Sequence, residues 1–355
     1  MKANRYNLIT LPILYLIFYS ISGCSYTVFL FLKENPLLFI GMYSLITSIM
    51  LYTPHYKKLE NILFQEDTKY EEVISISSIK EVFNKYPLGI ILSIVSSIGW
   101  QVITYKFLIY YGIQGAFLAL MITSLSRLIE PILNVYLFGD KIGNHFYYWL
   151  GLIVSIVGVV LIQVSSTKNG GINTISFEYY LLSVINLVFL VMSATIKRFI
   201  TGKAGVTPTP VRKKFLYISY NPNYYLSVRK RGIIVETFTF LILVPLGLYL
   251  GNSKFEIQTI HIVSLLWIGV LGGVSYNLAL RIKNIISTTK TTALDSFRPL
   301  VLFLVYPAIS MIFSLGDYNI NVSYLISCGL LLCLLGGLMS MFMGNPQRNE
   351  ATIKI

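Results

Sequence analysis

The chain has 355 residues and a formal net charge of +13, yet only 12% of its residues are charged, against 55% apolar and 14% aromatic. A soluble globular chain carries roughly 25% charged residues, so a water-soluble fold of this size lacks the polar surface it needs. The same apolar excess excludes disorder, and the mean hydropathy of +0.69 points to an all-α integral membrane protein.

Apolar runs of crossing length fall at 8–31, 36–53, 87–110, 113–138 and 146–165, and again at 177–198, 232–250, 260–280, 286–314 and 322–343. Ten crossings need roughly 200 residues, which leaves short loops and two longer ones. The first run follows Met-Lys-Ala-Asn-Arg without a small-residue cleavage site, so it reads as a spanning helix and not a removed signal. Segment 54–86 holds an amphipathic stretch (Ile74, Ile76, Ile79, Val82, Phe83) expected to lie along the membrane interface before the third span. Segment 199–231 carries Lys203, Arg212, Lys213, Lys214, Arg229, Lys230 and Arg231, with no acid and with Phe215, Tyr217, Tyr220, Tyr224 and Tyr225 interleaved. Pro208, Pro210 and Pro222 oppose a continuous helix there. The expected role is a loop resting on anionic headgroups, each basic residue contributing about 1 kcal/mol near the surface; a regulatory or partner-binding role is the other reading. Three regions follow: 1–198 (the first five-helix repeat plus the sixth span), the basic loop 199–231, and 232–355 with the remaining spans and the C-terminal tail.

Lys and Arg set the orientation. With the N-terminus inside, only Lys33, Lys168 and Lys254 fall in outside loops. Lys106, Arg127, Lys290 and Arg298 lie within spans, and every other basic residue falls on the inner side. Both termini are therefore expected in the cytoplasm, with the cell (inner) membrane the favoured location.

The two halves, approximately 1–165 and 177–343, resemble one another at their ends. The fourth span runs into Phe138-Gly139-Asp140, and the fifth carries Gly151 and Gly158. The ninth runs into Leu315-Gly316-Asp317, and the tenth carries Gly329 and Gly336. A spacing of seven places each glycine pair on one helix face and admits a close neighbour. Five helices per half make the second copy inverted, the architecture of secondary transporters with a site near the midplane between repeats. Ser124–Leu161, with Glu130-Pro131, and Ser287–Leu338, with Pro307, carry a resemblance to the ten-helix branch of the drug/metabolite transporter superfamily, the EamA-like permeases. The turn here is Gly-Asp where that family usually has Gly-Glu. The resemblance implies alternating access, with substrate between the halves against spans 1, 3, 4, 6, 8 and 9.

A charge at a helix centre costs at least ~2.5 kcal/mol on insertion scales, so each is a functional candidate. Arg127 and Glu130 stand three residues apart on the fourth span, and Asp295 and Arg298 on the ninth with the order reversed. Each pair shares a face, either as a neutralising bridge or as a binding and gating network. Lys290, among the hydroxyls of Ser287-Thr288-Thr289-Lys290-Thr291-Thr292, either joins that network or snorkels to the surface. Lys106, Glu236 and Asn277 are further candidates, with Gln101, Asn134 and Tyr276 as polar contacts. Within the spans, four basic residues face three acidic ones (Glu130, Glu236, Asp295), which favours a carboxylate- or phosphate-bearing substrate held by an Arg fork. Glu130 or Asp295 would carry a coupling proton.

His55, His145 and His261 lie near helix ends, no acids stand at metal-ligand spacing, and Cys24, Cys328 and Cys333 show no pairing pattern. No metal site or cofactor is expected. No Gly-rich phosphate loop is present, which removes an ATP-driven pump, and no filter-like segment suggests a channel. The expected function is secondary transport of a small organic metabolite, not enzymatic and without nucleic acid; a homodimer is left open. The alternatives are an organic-cation exporter with Glu130 as the cation site, a nucleotide-sugar or sugar-phosphate carrier, and, outside transport, an intramembrane enzyme or a receptor.

Overall fold

The computed structural model describes residues 12–17, 36–53, 76–111, 113–139, 142, 144–168, 177–201, 210–222, 224, 226–250, 266, 270–271, 274–275, 288–301, 303–304 and 324–343. In chain order these form α1 (Pro36–Tyr52), α2 (Ile76–Lys85), α3 (Pro87–Tyr111), α4 (Ile113–Phe138), α5 (His145–Lys168) and α6 (Phe177–Ile200). A hairpin of β1 (Lys214–Phe215) and β2 (Ile218–Ser219) follows, then α7 (Val228–Leu250). α8 (Thr288–Leu294) runs into a 3-10 turn (Asp295–Phe297), and α9 (Tyr324–Leu338) into a π turn (Met339–Met343). Residues 12–17 are helical as well.

Among the described residues, five helices are long and apolar enough to cross a bilayer: α3, α5, α6, α7 and α9 continued through its π turn. Their outward faces are apolar. On α5, Ile153, Val157, Val160 and Val164 are exposed at successive turns, and on α6 Leu181, Val184 and Val188. The interior meanwhile encloses Ser93, Ser96, Ser97, Gln101 and Thr104 of α3 and Ser124, Ser126 and Arg127 of α4. A helix with apolar residues outside and hydroxyls inside suits hydrocarbon as its solvent. The chain is helical, and its five long apolar helices are compatible with a multi-pass membrane protein.

Close helix crossings are made by small residues. α5 and α9 run antiparallel in a register that sets glycine against glycine: a Cβ on Gly158 would stand 2.5 Å from the Gly329 carbonyl oxygen, and one on Gly336 would collide with that of Gly151. Between the two glycine levels the Cys333 thiol donates to the Ser155 carbonyl oxygen at 3.4 Å, and beyond them Ser340 Oγ donates to that of Tyr148 at 3.0 Å. The repeated seven-residue spacing is thus one continuous backbone contact between two helices. α1 crosses α7 antiparallel, with Gly41 beneath Val244 and Ser48 bonded to Thr237 at 2.7 Å. α3 pairs antiparallel with α6, where Asn186 Nδ2 donates to Thr104 at 3.2 Å.

The basic central segment differs from the expected loop. α6 continues to Ile200 and α7 begins at Val228, because Ser227 caps it: the Lys230 N–H donates to Ser227 Oγ at 3.1 Å. Lys230 and Arg231 are consequently enclosed, while Arg229 donates from Nε and Nη2 to the carbonyl oxygens of Leu51 and Tyr52 and caps the C-terminus of α1. The intervening hairpin turns through Leu216 (φ 45) and Tyr217 (φ 64), a primed two-residue turn. Ile218 is buried in a cluster with Val82, Tyr86, Ile90, Leu137, Phe138, Ile196, Phe199 and Ile200. The hairpin therefore closes one end of the α3, α4 and α6 group. The amphipathic helix α2 packs part of its apolar face against protein, with Val82 buried and Phe83 edge-on to Phe238 at 5.3 Å; Ile74 and the side chain of Ile76 lie outside the described residues.

Candidate functional site

Arg127 lies midway along α4, 3% exposed, and none of its three guanidinium nitrogens has a hydrogen-bond partner. The charges acting on it are the Asp295 carboxylate and the Arg298 guanidinium, with the Cys333 thiol and the Tyr15 phenol as further neighbours. Asp295 is held from another direction, since Tyr15 Oη donates to its Oδ1 at 2.7 Å. Four elements thus converge: residues 12–17, α4, the 3-10 turn after α8, and α9. Among the described residues, the charged groups acting on Arg127 are one carboxylate and one further guanidinium. A buried guanidinium without acceptors is costly, and its planar fork of donors suits a carboxylate or a phosphate.

Prolines shape both charged segments. Arg127-Leu-Ile-Glu130 is followed at once by Pro131, and Asp295-Ser-Phe-Arg298 by Pro299. Each proline lacks the N–H that would serve the carbonyl four residues earlier, which is that of Arg127 in one case and Asp295 in the other. On α8 the helix tightens in response: residues 295–297 are 3-10, and the Arg298 N–H donates to the Asp295 carbonyl oxygen. A 3-10 interruption within a helix is a recurrent place for bending. The turn is backed by α9, where a Cβ on Gly337 would stand 3.0 Å from the Phe297 ring.

The structure brings Arg127, Asp295 and Arg298, members of the two charge pairs, together. Glu130 is half-buried and forms no ion pair or hydrogen bond with Arg127; the neutralising bridge along α4 is not made. Lys106 is turned to the rim, where its Nζ meets Glu178 Oε1 at 2.7 Å with the two side chains 39% and 67% exposed. Asn134 accepts a bond from Arg198 Nη1 at 2.6 Å, and that guanidinium also stacks over Phe138 at 3.9 Å. Gln101 donates to Ser97 Oγ at 3.2 Å and leaves its own buried carbonyl oxygen without a partner. Glu236 of α7 is 4% exposed, with Ser44 of α1 beside it and Arg231 and Lys197 as the charges that reach it. Its Oε2 has no hydrogen bond. Asn277, Tyr276, Pro307, Asp140, Gly316, Asp317 and the side chain of Lys290 lie outside the described residues. Among the described residues, no group of three His, Cys, Asp or Glu side chains is arranged to hold a metal ion.

Tyr15 is the member of the site that the sequence did not single out, because a tyrosine in an apolar first span carries no signal beyond aromatic bulk. Pro299, which follows Asp295–Arg298 as Pro131 follows Arg127–Glu130, was not singled out either, the sequence reading having named Pro307 for that half. No family model matches the chain, and no curated protein matches it.

Proposed function

We propose that the chain is a secondary transporter of ten spans, built as two inverted five-helix repeats of the EamA-like permease kind, which moves a small organic anion by alternating access. The carrying observation is Arg127: a buried guanidinium with no acceptor, drawn from one half of the chain and faced by Asp295 and Arg298 from the other. An anion that bridges these two halves binds the conformations unequally, which is what alternating access requires. The glycine-on-glycine register of α5 and α9 supports the repeat, and the distribution of basic residues supports cytoplasmic termini.

The experiment is a thermal-shift screen of the protein in nanodiscs against carboxylates, phosphate esters and amines, followed by counterflow of the best ligand in proteoliposomes. Carboxylates or phosphates should raise the midpoint. Arg127→Lys, which keeps the charge and removes the planar fork, should weaken that ligand at least about tenfold, roughly 1.4 kcal/mol. The organic-cation reading rests on Glu236, the enclosed carboxylate without a hydrogen bond at Oε2. It prevails if amines alone shift the midpoint and Glu236→Gln, not Arg127→Lys, removes the shift.

A further inference from the structure

The hairpin carries a surface that the bundle does not use. Its turn places Tyr217, 95% exposed, at the tip, with Leu216 and Val211 also exposed, and Arg212, Lys213 and Lys214 all face outward beside them. The position is fixed from both sides. The N–H groups of Val211 and Arg212 donate to the Leu137 carbonyl oxygen at 2.7 and 3.2 Å, where Gly139 in a left-handed conformation (φ 66) ends α4. On the far side, the Tyr86 phenol and the Asn221 backbone exchange bonds of 3.1 and 3.3 Å. Within the hairpin, Ile218 is buried and Phe215 meets Phe199 at 5.9 Å. The hairpin thus buries one face and exposes an apolar tip ringed by cations.

The level of that surface is set by Arg212. Its guanidinium lies over the Tyr136 ring at 4.9 Å, and Tyr136 ends an exposed stripe of α4 that includes Ile129 and Ile132. In a membrane-spanning helix such a stripe faces acyl chains, and a tyrosine at its end marks the headgroup level. With that stripe against acyl chains, Arg212 would stand at the phosphates, and Lys213 and Lys214 follow it in a segment, 199–231, without a single acid. We propose that residues 211–217 form a docking site for anionic phospholipid, with Arg212, Lys213 and Lys214 on the headgroup phosphates and Val211, Leu216 and Tyr217 immersed above the acyl chains. The apolar tip and its continuity with the lipid-facing stripe favour a bilayer over an acidic protein segment, which would need no immersion.

The test uses Tyr217→Trp in the full chain, read as the difference from the parent protein with its native tryptophans. The protein is placed in nanodiscs of phosphatidylcholine alone or mixed with phosphatidylglycerol, each with brominated acyl chains as quencher. The expected result is quenching at least about twofold stronger in the anionic discs. It should fall to the phosphatidylcholine level at high salt, which screens exposed charges, and in the background R212Q/K213Q/K214Q. Val211→Trp, outside the turn, repeats the measurement if the turn variant misfolds. Equal quenching in the two bilayers, insensitivity to the triple substitution, no quenching in either, or quenching that needs an added acidic protein would overturn the assignment. The outcome does not depend on what the protein transports.

Discussion

Replacing Arg127 by methionine separates a binding residue from a packing residue. Where a buried charge is satisfied by partners, removing it strands them and costs about 3–5 kcal/mol. Arg127 strands nothing of that kind, for its nitrogens make no hydrogen bonds and Asp295 retains the Tyr15 phenol. An apolar side chain of similar length also relieves an enclosed cation of its lost hydration. Exchanges of that sort are neutral or stabilising by about 1–4 kcal/mol. Arg127→Met should accordingly keep or raise the thermal midpoint of the ligand-free protein, by roughly 2 °C for each kcal/mol gained. It should also lose every anion-induced shift. Intrinsic fluorescence from Trp100, Trp149 and Trp267 reports both quantities in nanodiscs. A midpoint lowered by the equivalent of 3 kcal/mol and restored by Arg127→Lys would make the guanidinium structural and remove the basis for the anion site.

Tyr15→Phe deletes a hydrogen bond to a carboxylate, which is worth about 1.5–3 kcal/mol, so its midpoint should fall; an unchanged midpoint would mean that the Tyr15–Asp295 contact is not maintained in the bilayer. Gly158→Ala and Gly336→Ala should each destabilise by about 1–3 kcal/mol through overpacking, since the nearest atom met is backbone in each case; in a loose crossing alanine would instead stabilise the helices by up to about 1 kcal/mol. Burial pushes the Tyr86 phenol above its ordinary value of 10.0, against the opposing pull of the Asn221 backbone bond. A folded pKa above the unfolded one gives stability that is complete below pH 10 and lost as the pH climbs through the folded value. Wild type should therefore show an alkaline loss of midpoint above about pH 10 that Tyr86→Phe diminishes, while Tyr86→Phe itself costs about 1 kcal/mol at neutral pH. A Tyr86→Phe profile that matches wild type at every pH would refute the hydrogen bond's role.

The helices were legible because apolar runs of crossing length mark them, and α3, α4 and α6 begin and end within a few residues of those runs. The start of α7 was not, since Arg229, Lys230 and Arg231 read as part of a loop resting on anionic headgroups. The cap at Ser227 and the carbonyls at the end of α1 are what draw these side chains into the protein, and neither is visible from charge alone. The hairpin escaped for a different reason. Its tight turn uses Leu216 and Tyr217 in left-handed conformations where Asn or Gly would announce it, so burial of Ile218 and Phe215 imposes what local preference does not. At the candidate site, charge spacing located Arg127, Asp295 and Arg298, but it left open whether each pair closes on its own helix or joins a wider network. Pairing across helices depends on packing, which one-dimensional periodicity does not contain.

The two kinds of helix contact divide the work of the molecule. α5 and α9 meet through backbone at two glycine levels seven residues apart, and contacts of that closeness cannot slide without collision. α4 and the helix after Thr288 are the opposite, each carrying a proline one residue past its charge pair. Bending at Pro131 or at the 3-10 turn before Pro299 breaks few additional hydrogen bonds, since the proline has already removed one. Such bending would move Arg127 or the Asp295–Arg298 turn relative to the fixed pair. Because Gly337 of α9 supports Phe297 in that turn, motion on one side of the site would be referred to the rigid crossing on the other. Alanine at Gly337 makes this argument testable. Its Cβ would press on the Phe297 ring at 3.0 Å, tight enough to tilt the turn yet well short of a backbone clash. The expected outcome is a midpoint within about 1 kcal/mol of wild type with anion affinity changed several-fold. A variant with wild-type stability and wild-type affinity would show that the turn moves independently of α9, and the crossing would then be scaffold alone.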